Sequence, residues 1–163
     1  MKEDSLEIVQ SAIYKSPIGL MKISANREFL KSVLFCEENY CISFNDDSPI
    51  IIETMNQLDS YFKNPKYVFQ LPLEPASTAF QANMRNEMMA IGPGQTRTYG
   101  EIAKRIGSTN SSRAVGRAAG ANPFMIVVPC HRVVGSNGSL TGYAGGIERK
   151  KWLLEHERHG LFQ

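Results

Sequence analysis

The residues best suited to chemistry lie in the second half of the 163-residue sequence, where Cys130, His131 and Arg132 follow one another. A thiolate is a strong nucleophile, and an imidazole beside it is a suitable base. Positive neighbours lower the pKa of a thiol, so we expect Cys130 to be reactive. For Cys130 alone, burial as a small apolar side chain is the alternative.

A carboxylate that could orient the imidazole lies in the last predicted helix. At helical spacing Lys150 and Glu157 share one arc with three apolar residues, Ile147, Leu153 and Leu154. This predicts that both charged side chains face the core. Glu157 could then complete a nucleophile, base and carboxylate set. The alternatives are that Lys150 and Glu157 pair with each other or extend to solvent at the helix ends.

The chain around Cys130 is predicted to be extended. An apolar run, Ile126 to Val128, precedes Pro129, whose ring favours an extended conformation of the residue before it, and Asn137-Gly138 is typical of a hairpin turn. Successive side chains of an extended chain point to opposite sides. We therefore expect His131 to reach the Cys130 sulfur through a water molecule.

Two short helices joined by a tight turn are predicted before this segment. Thr98-x-x-Glu101 is a capping box that begins the first, and Gly107 ends it. After a turn at Ser108 to Asn110, the second helix covers SSRAVGRAAGAN. This pattern is a helix-turn-helix candidate.

The distribution of charge fits a polyanionic partner for the second half. Residues 1–76 hold 7 Lys/Arg and 11 Asp/Glu, a net charge of −4, whereas residues 77–163 hold 11 and 5, a net charge of +6. Arg113 and Arg117 lie on one face of the second short helix, where they would contact DNA. A solvated basic face without a partner is the alternative, and the small residues of that helix also fit close helix packing.

The first half is predicted to be a scaffold without recognisable chemistry. A Pro-rich segment, LPLEPAST at 71–78, divides the chain into domains at 1–76 and 77–163. The elements predicted before it are three strands, one helix and a further strand: Ile13 to Tyr14, Leu20 to Ala25, Leu30 to Phe35, a helix from Ser48-Pro49, and Tyr67 to Leu71. The fold class is therefore α+β, with a small mixed sheet followed by a mostly helical domain that begins at a capping box, Thr78-x-x-Gln81.

Composition excludes several classes of protein. With 42% hydrophobic and 21% charged residues, the sequence is not that of a collagen, a coiled coil or a disordered chain. The start lacks the pattern of a signal peptide, and no segment approaches the length of a membrane span. We expect a cytoplasmic protein with reduced thiols, in which Cys36 and Cys41 are ordinary residues at strand ends and no metal or cofactor is bound.

From Phe80 to Glu157 the sequence resembles the O6-alkylguanine-DNA alkyltransferases, also called methylated-DNA:protein-cysteine methyltransferases. The matching segments are FQ at Phe80, GQTRTYGEIA from Gly94, SRAVGRAAGANP from Ser112, VPCHRV from Val128 and GYAGGIERKKWLLEHE from Gly142. The resemblance implies a ribonuclease H-like first domain and a winged-helix-like second domain. It also implies a monomer that acts on double-stranded DNA carrying O6-alkylguanine.

The resemblance gives the chemical residues specific roles. Cys130 would be the alkyl acceptor, His131 the base that acts through water, and Glu157 the residue that holds the imidazole. Asn122 would order the segment around the cysteine, and Tyr99 would hydrogen-bond N3 of the purine so that guanine leaves as a neutral base. Each protein would act once, with O4-alkylthymine as an open second substrate.

The resemblance also implies a DNA-facing surface and a base pocket. Arg113 would enter the duplex where the damaged nucleotide rotates out. Further DNA contacts would come from Arg97, Ser112 and Arg117. The guanine pocket would be lined by Val133, Tyr143, Ala144 and Lys150.

Two departures from the family pattern and two other functions stay open. The chain has Met84-Arg85 where members have an apolar residue and Trp, and Ile91-Gly92-Pro93 where they have Ile-Pro. We expect altered local packing there and unchanged chemistry. The alternatives are a non-catalytic sensor of alkylated bases, which would lack the acceptor cysteine, and a Cys-His hydrolase.

Overall fold

The first half of the protein builds an antiparallel sheet. The computed structural model describes residues 7–40, 47–107 and 112–160. The strands are β1 (Gln10–Ser16), β2 (Gly19–Ala25) and β3 (Leu30–Phe35), in the order β1-β2-β3. Met21, Ile23 and Ala25 alternate along β2 and are fully buried, the period expected when one face of a strand meets the core. All three predicted strands are confirmed.

Helix α1 (Pro49–Lys63) covers this sheet and begins as its sequence predicts. Ser48 is the N-cap, with its hydroxyl accepting a hydrogen bond from the Ile51 amide, and Pro49 occupies the first turn, where a missing N–H has no cost. The apolar side of the helix buries Ile51, Leu58 and Tyr61.

The prediction of a strand at Tyr67 to Leu71 is wrong, because a side chain has taken the place of a neighbouring strand. Gln57 donates to the carbonyl of Gln70 and accepts from its amide, both at 2.9 Å. The sheet is instead extended by isolated parallel bridges, Leu30 to Leu73 and Val33 to Phe124. These bridges give the sheet its mixed character.

The second half is mostly helical. Its elements are α2 (Ala79–Met89), β4 (Arg97–Thr98), α3 (Tyr99–Arg105), α4 (Ser112–Gly120), β5 (Val133–Val134) and α5 (Ile147–His159). The capping box at Thr98 is complete. The box at Thr78 is one-sided, because the Gln81 side chain bonds Ser77 instead of the Thr78 amide. Gly107 follows α3 with a φ of +67°, a conformation that favours glycine. The helices α3 and α4 pack together, while the predicted turn at 108–110 lies outside the described residues.

The segment before Cys130 is a turn, which corrects the predicted extended run. Ile126 has a φ of +71°, and the amides of Val127 and Val128 bond the carbonyls of Met125 and Phe124. Every apolar side chain from Phe124 to Val128 is buried, although the run pairs with the sheet only through the bridge of Phe124 to Val33 among the described residues. Periodicity cannot distinguish a buried turn from a buried strand in so short a run.

The predicted hairpin at Asn137-Gly138 is half right. Gly135 donates its amide to the Ser139 carbonyl at 2.9 Å, so the chain does turn there. However, β5 pairs in parallel with β4 instead of with a following strand. This pairing places the residues after Cys130 directly beside the start of α3.

A continuous apolar core joins the two halves, with members such as Ile23, Leu58, Met84, Ile102 and Leu153. The fold class is α+β, as predicted. The division at residues 76 and 77 and the ribonuclease H-like and winged-helix-like assignments stay predictions. Among the described helices, none has the length and apolar character needed to cross a bilayer.

The prediction of reduced thiols fails at one position. Cys36 is disulfide-bonded, whereas Cys130 is free and Cys41 lies outside the described residues. Pairing depends on the distance between cysteines in the folded chain, which their number in the sequence does not reveal.

Candidate active site

Helix α5 carries two charged side chains into the core, as its periodicity predicts. Lys150 and Glu157 are both completely buried, but Ile147, predicted to lie on the same side, is 52% exposed because it begins the helix at its solvent end. Lys150 and Glu157 do not pair with each other. Lys150 Nζ donates to the carbonyls of Val133 at 2.6 Å and Thr141 at 3.1 Å.

Glu157 binds two consecutive residues of the short 3-10 helix Cys130–Arg132. His131 Nε2 lies 2.6 Å from Glu157 Oε1. Arg132 binds the same carboxylate in a bidentate manner, through Nε to Oε2 and Nη2 to Oε1, both at 2.9 Å. A tight helical turn makes this possible, because on extended chain these neighbours would point apart.

Two donors from distant segments complete the environment of Glu157. The Tyr61 hydroxyl donates to Oε1 at 2.8 Å, and the Gly94 amide donates to Oε2 at 3.4 Å. The remaining Arg132 nitrogen, Nη1, donates to the Ile91 carbonyl at 2.6 Å. A buried charge is tolerated when it is paired and fully hydrogen-bonded, and Glu157 meets both conditions.

Burial and charge set the protonation states of this group. Burial raises the pKa of Glu157, but the interactions with His131 and Arg132 outweigh it and lower that pKa to about 2. Burial also lowers the pKa of His131, with Glu157 opposing the change. At neutral pH the carboxylate is therefore ionised and the imidazole is a neutral base.

The geometry leaves one nitrogen of His131 available. Nε2 faces Glu157, while Nδ1 is buried and has no hydrogen-bond partner among the described protein atoms. A neutral imidazole whose Nε2–H is held by a carboxylate carries its acceptor lone pair on Nδ1. His131 can therefore accept a proton there and share the resulting charge with Glu157.

Cys130 lies beside this pair, only 5% exposed. Burial raises the pKa of its thiol, against the opposing effects of an Asn122 hydrogen bond and the Lys150 charge. The sequence-based expectation of a lowered pKa is thus wrong, because desolvation exceeds the effect of positive neighbours. A base that removes the thiol proton is consequently needed for reactivity at neutral pH.

Asn122 fixes the turn that leads to Cys130. Its amide nitrogen donates to the carbonyls of Val128 at 2.9 Å and Phe124 at 3.2 Å, and its oxygen accepts from the Phe124 amide at 3.0 Å. These bonds satisfy backbone groups that no strand pairs. Asn122 therefore holds the turn together with the backbone bonds of Val127, Val128 and Cys130.

A groove of about 410 Å³ opens between the start of α3, helix α4 and residues 141–142. Its lining consists of Tyr99, Ser112, Arg113, Gly116, Arg117, Thr141 and Gly142. The Tyr99 hydroxyl donates to the Thr141 carbonyl at 2.9 Å, and a thiolate on Cys130 contributes to a raised pKa of Tyr99, after burial. Tyr99 thus lines the groove and interacts electrostatically with Cys130.

The loop at 142–146 forms the other side of the site. Tyr143 is buried with a hydroxyl that has no partner among the described atoms, while Ala144 is exposed. A Cβ on Gly145 would lie 2.7 Å from the Tyr143 ring and 2.9 Å from Phe35, so only glycine fits there. Arg149 anchors the loop by donating to the Gly145 carbonyl at 3.2 Å.

The predicted DNA-contacting residues differ in solvent exposure and in whether they already form an ion pair. Ser112, Arg113 and Arg117 are exposed on α4. Arg97 is half-buried, and its Nη1 lies 3.3 Å from Glu87 Oε2. A contact of Arg97 with phosphate would therefore compete with an existing ion pair.

Comparison with known proteins connects this site with a reaction. Residues 79–159 match the family described as 6-O-methylguanine DNA methyltransferase, DNA binding domain. A protein of Methanosarcina acetivorans named methylated-DNA–protein-cysteine methyltransferase is 44% identical over 150 residues, which cover 90% of this chain and 96% of that protein. A Mycobacterium leprae protein of the same name is 37% identical, over 88% of this chain and 89% of that one.

Solved structures agree with the sequence comparisons. The crystal structure of the Mycobacterium tuberculosis O6-methylguanine methyltransferase superposes with a TM-score of 0.81 at 36% identity, covering 96% of this chain and all of that one. The M. tuberculosis protein OGT in complex with DNA gives a TM-score of 0.80 at 38% identity, over 93% of both chains. The chain belongs to the methylated-DNA–protein-cysteine methyltransferase family.

Membership of the methyltransferase family decides between the functions that the sequence leaves open. Direct reversal of DNA damage by alkyl transfer is the activity this family carries, so the Cys-His hydrolase hypothesis is set aside. The altered packing expected at the departures from the family pattern stays a prediction. The Arg85 guanidinium lies 5.1 Å from the centroid of the Phe124 ring and donates to the Glu74 carbonyl, while the Gly92 amide bonds the Gln95 side chain.

Three groups around Glu157 escaped the sequence analysis. The sequence places Arg132 beside the thiol but does not indicate that it binds the Glu157 carboxylate. Tyr61 comes from a segment without a motif, and the Gly94 amide begins a segment that carries the family resemblance but indicates no contact with Glu157. No local pattern indicates either contact, because the tyrosine lies 96 residues from its partner in sequence.

Proposed function

We propose that Cys130 accepts the alkyl group of O6-alkylguanine in double-stranded DNA, once per protein molecule. The observation that carries this proposal is the buried pair of His131 and Glu157, which follows the buried Cys130 thiol directly in the chain. Tyr99 and Arg113 line a groove in the same half of the protein. An acceptor cysteine is what a non-catalytic sensor would lack.

The proposed transfer is a displacement at carbon. His131 takes the thiol proton at Nδ1 through a water molecule, and Glu157 stabilises the imidazolium. The thiolate sulfur then forms a bond to the alkyl carbon as the bond from that carbon to O6 breaks, and the electron pair stays on the guanine. Tyr99 donates its phenolic proton to N3 of the purine so that the base leaves as neutral guanine, and the proton taken up by His131 restores the phenol through solvent. The thioether has no easy leaving group, so the protein is consumed.

The substrate carbon is inaccessible inside a base stack, so the nucleotide must rotate out of the duplex. Such extrusion costs a few kcal/mol, which inserted side chains and phosphate contacts offset. Arg113 is positioned on the exposed side of α4 to fill the gap, and Ser112 and Arg117 lie beside it to contact the backbone. The salt bridge of Arg97 to Glu87 makes it the weakest of the proposed contacts.

The extruded base would lie against the loop at 142–146. The buried Tyr143 hydroxyl is an unpaired polar group that a purine can satisfy. We propose that Ala144 and the backbone of Val133 line the same space, and that the charge of Lys150 helps to stabilise the thiolate. We further propose that the protein is a cytoplasmic monomer that needs no cofactor, with O4-alkylthymine as the second substrate to be tested.

Intact mass spectrometry after incubation with an O6-methylguanine duplex tests the proposal. We expect a gain of about 14 Da, one methyl group per protein, confined to the peptide that contains Cys130. Cys130→Ala should lose the gain and keep DNA binding. Continuous turnover, or alkylation of Cys36 or Cys41, would contradict the assignment, and loss of both properties in Cys130→Ala would indicate a structural cysteine.

A further inference from the structure

We propose that Tyr61, on α1 in the first half of the chain, is a positioning residue for alkyl transfer, whose hydroxyl fixes the Glu157 carboxylate and through it the His131 imidazole. The inference rests on the proposed function of Cys130. It gives the first half a part in the chemistry in addition to its part in the fold.

Burial and aromatic neighbours hold the Tyr61 side chain so that its hydroxyl faces Glu157. The side chain is fully buried. Its ring lies 5.3 Å from Phe62, 5.7 Å from Phe69 and 5.4 Å from His156, measured between ring centroids. The hydroxyl donates at 2.8 Å to Oε1 of Glu157, the same oxygen that lies 2.6 Å from His131 Nε2.

The Tyr61 phenol and the His131 imidazole both bind Oε1 of Glu157, so a change at the phenol affects the imidazole. A hydrogen bond to Oε1 draws negative charge away from the side of the carboxylate that faces His131. The other charged or titratable groups that act on His131 are Glu157 itself, Arg132 and Lys150. Burial raises the pKa of Tyr61 well above its usual value, so the phenol stays a neutral donor throughout the working pH range.

Removal of the hydroxyl has two expected consequences. The carboxylate loses a contact that holds its orientation, so the proton transfer to His131 slows. In addition, more negative charge faces the imidazole, so the imidazolium is stabilised and the pKa of His131 rises. Since only the neutral imidazole can accept the thiol proton, the acid limb of the transfer rate should move to higher pH.

The chain offers a matched control in the same half. The Tyr14 hydroxyl donates to the carboxylate of Asp59 at 2.6 Å, and Tyr14 is 8% exposed. This pair resembles the pair of Tyr61 and Glu157 in chemistry, and it joins β1 to α1, the helix that carries Tyr61. Neither Tyr14 nor Asp59 is among the groups that act on His131. Tyr14 is buried and Asp59 is exposed, so Tyr14→Phe reports what the loss of a part-buried tyrosine-carboxylate bond does to folding alone.

The experiment compares single-turnover transfer from duplex O6-methylguanine and from free O6-benzylguanine between pH 5 and 9, with thermal melting alongside. Tyr61→Phe should lower the plateau rate roughly 10-fold on both substrates. It should also move the acid limb up by about half a pH unit. Tyr14→Phe should follow the wild type in both respects.

A second replacement covers the case in which Tyr61→Phe does not fold. Site-specific replacement of Tyr61 by 3-fluorotyrosine gives a more acidic phenol and a stronger donor, so the acid limb should move to lower pH. Unchanged rate and pH profile in either variant, with only a lower melting temperature, would overturn the proposal. Absence of transfer to Cys130 in the wild type would instead refute the proposed function.

Discussion

Cys130, His131 and Glu157 are at most 5% exposed, whereas Arg113 and Arg117 project from α4 into solvent. The hydrogen bonds of Glu157 are complete within the protein alone: Tyr61, Gly94, His131 and Arg132 all donate to it. The arginines of α4 face an open groove. The buried region is thus arranged before DNA arrives, as preorganised electrostatic catalysis requires, while the exposed region acquires its contacts from the DNA.

The two regions also respond differently to substitution. A change in the buried group leaves a charge or a polar atom without its partner, which affects folding and chemistry together. A change on the exposed face removes a contact that exists only in the complex, so folding is unaffected. Variants in each region should therefore separate stability, DNA binding and transfer.

The largest expected effect is that of Glu157→Gln. The imidazolium loses its counter-charge and Arg132 loses its bidentate partner, so transfer should slow by roughly 100-fold or more on duplex and free-base substrates alike. The free energy of unfolding should fall by about 3 kcal/mol. Glu155→Gln, on an exposed position of the same helix, is the matched control for single-turnover rates and urea unfolding. Transfer within twofold of the wild type would remove Glu157 from the chemistry.

The pH dependence of the unfolding free energy tests whether the buried Glu157 carboxylate is ionised and paired in the folded protein. The pKa of Glu157 is lowered from 4.5 to about 2 in the folded protein, so its stabilisation is present above pH 4.5 and is lost as the pH falls towards 2. The difference in unfolding free energy between the wild type and Glu157→Gln should accordingly narrow over that interval. A difference that stays constant from pH 5 to pH 2.5 in urea titrations would contradict the ionised, paired carboxylate.

A smaller effect is expected on the exposed face. Arg117→Ala should weaken binding to any duplex severalfold and reduce the slope of log affinity against log salt by about 1, since phosphate contacts carry no sequence information. Folding stability and transfer from the free base should not change. Lys63→Ala, an exposed cation on α1, serves as the control. An unchanged salt slope would place Arg117 away from the DNA.

Sequence periodicity and capping residues account for much of the fold. The alternation along β2 and the capping box at Thr98 are local signals, and both produced the predicted elements. The arc shared by Lys150 and Glu157 is also local, and it correctly placed both charges in the core. The resemblance supplied the remaining site residues, and their roles stay predictions.

The errors arise where distant contacts outweigh local pattern. Tyr67 to Leu71 has the composition of a strand, but the Gln57 side chain occupies its backbone groups. The apolar run before Pro129 is buried as a turn around Asn122. The raised pKa of the Cys130 thiol reflects the depth of burial, which no neighbour in sequence specifies.

The central claim is that the buried region carries out alkyl transfer and the exposed face of α4 carries out base extrusion. Arg113→Ala tests it most directly, measured in single-turnover transfer from an O6-methylguanine duplex and from free O6-benzylguanine. Free base needs no extrusion. We predict a large fall in the duplex rate, an almost unchanged free-base rate, and a melting temperature equal to that of the wild type. Equal slowing on both substrates would show that Arg113 supports the pocket or the fold, and would contradict the assignment of base extrusion to the exposed face of α4.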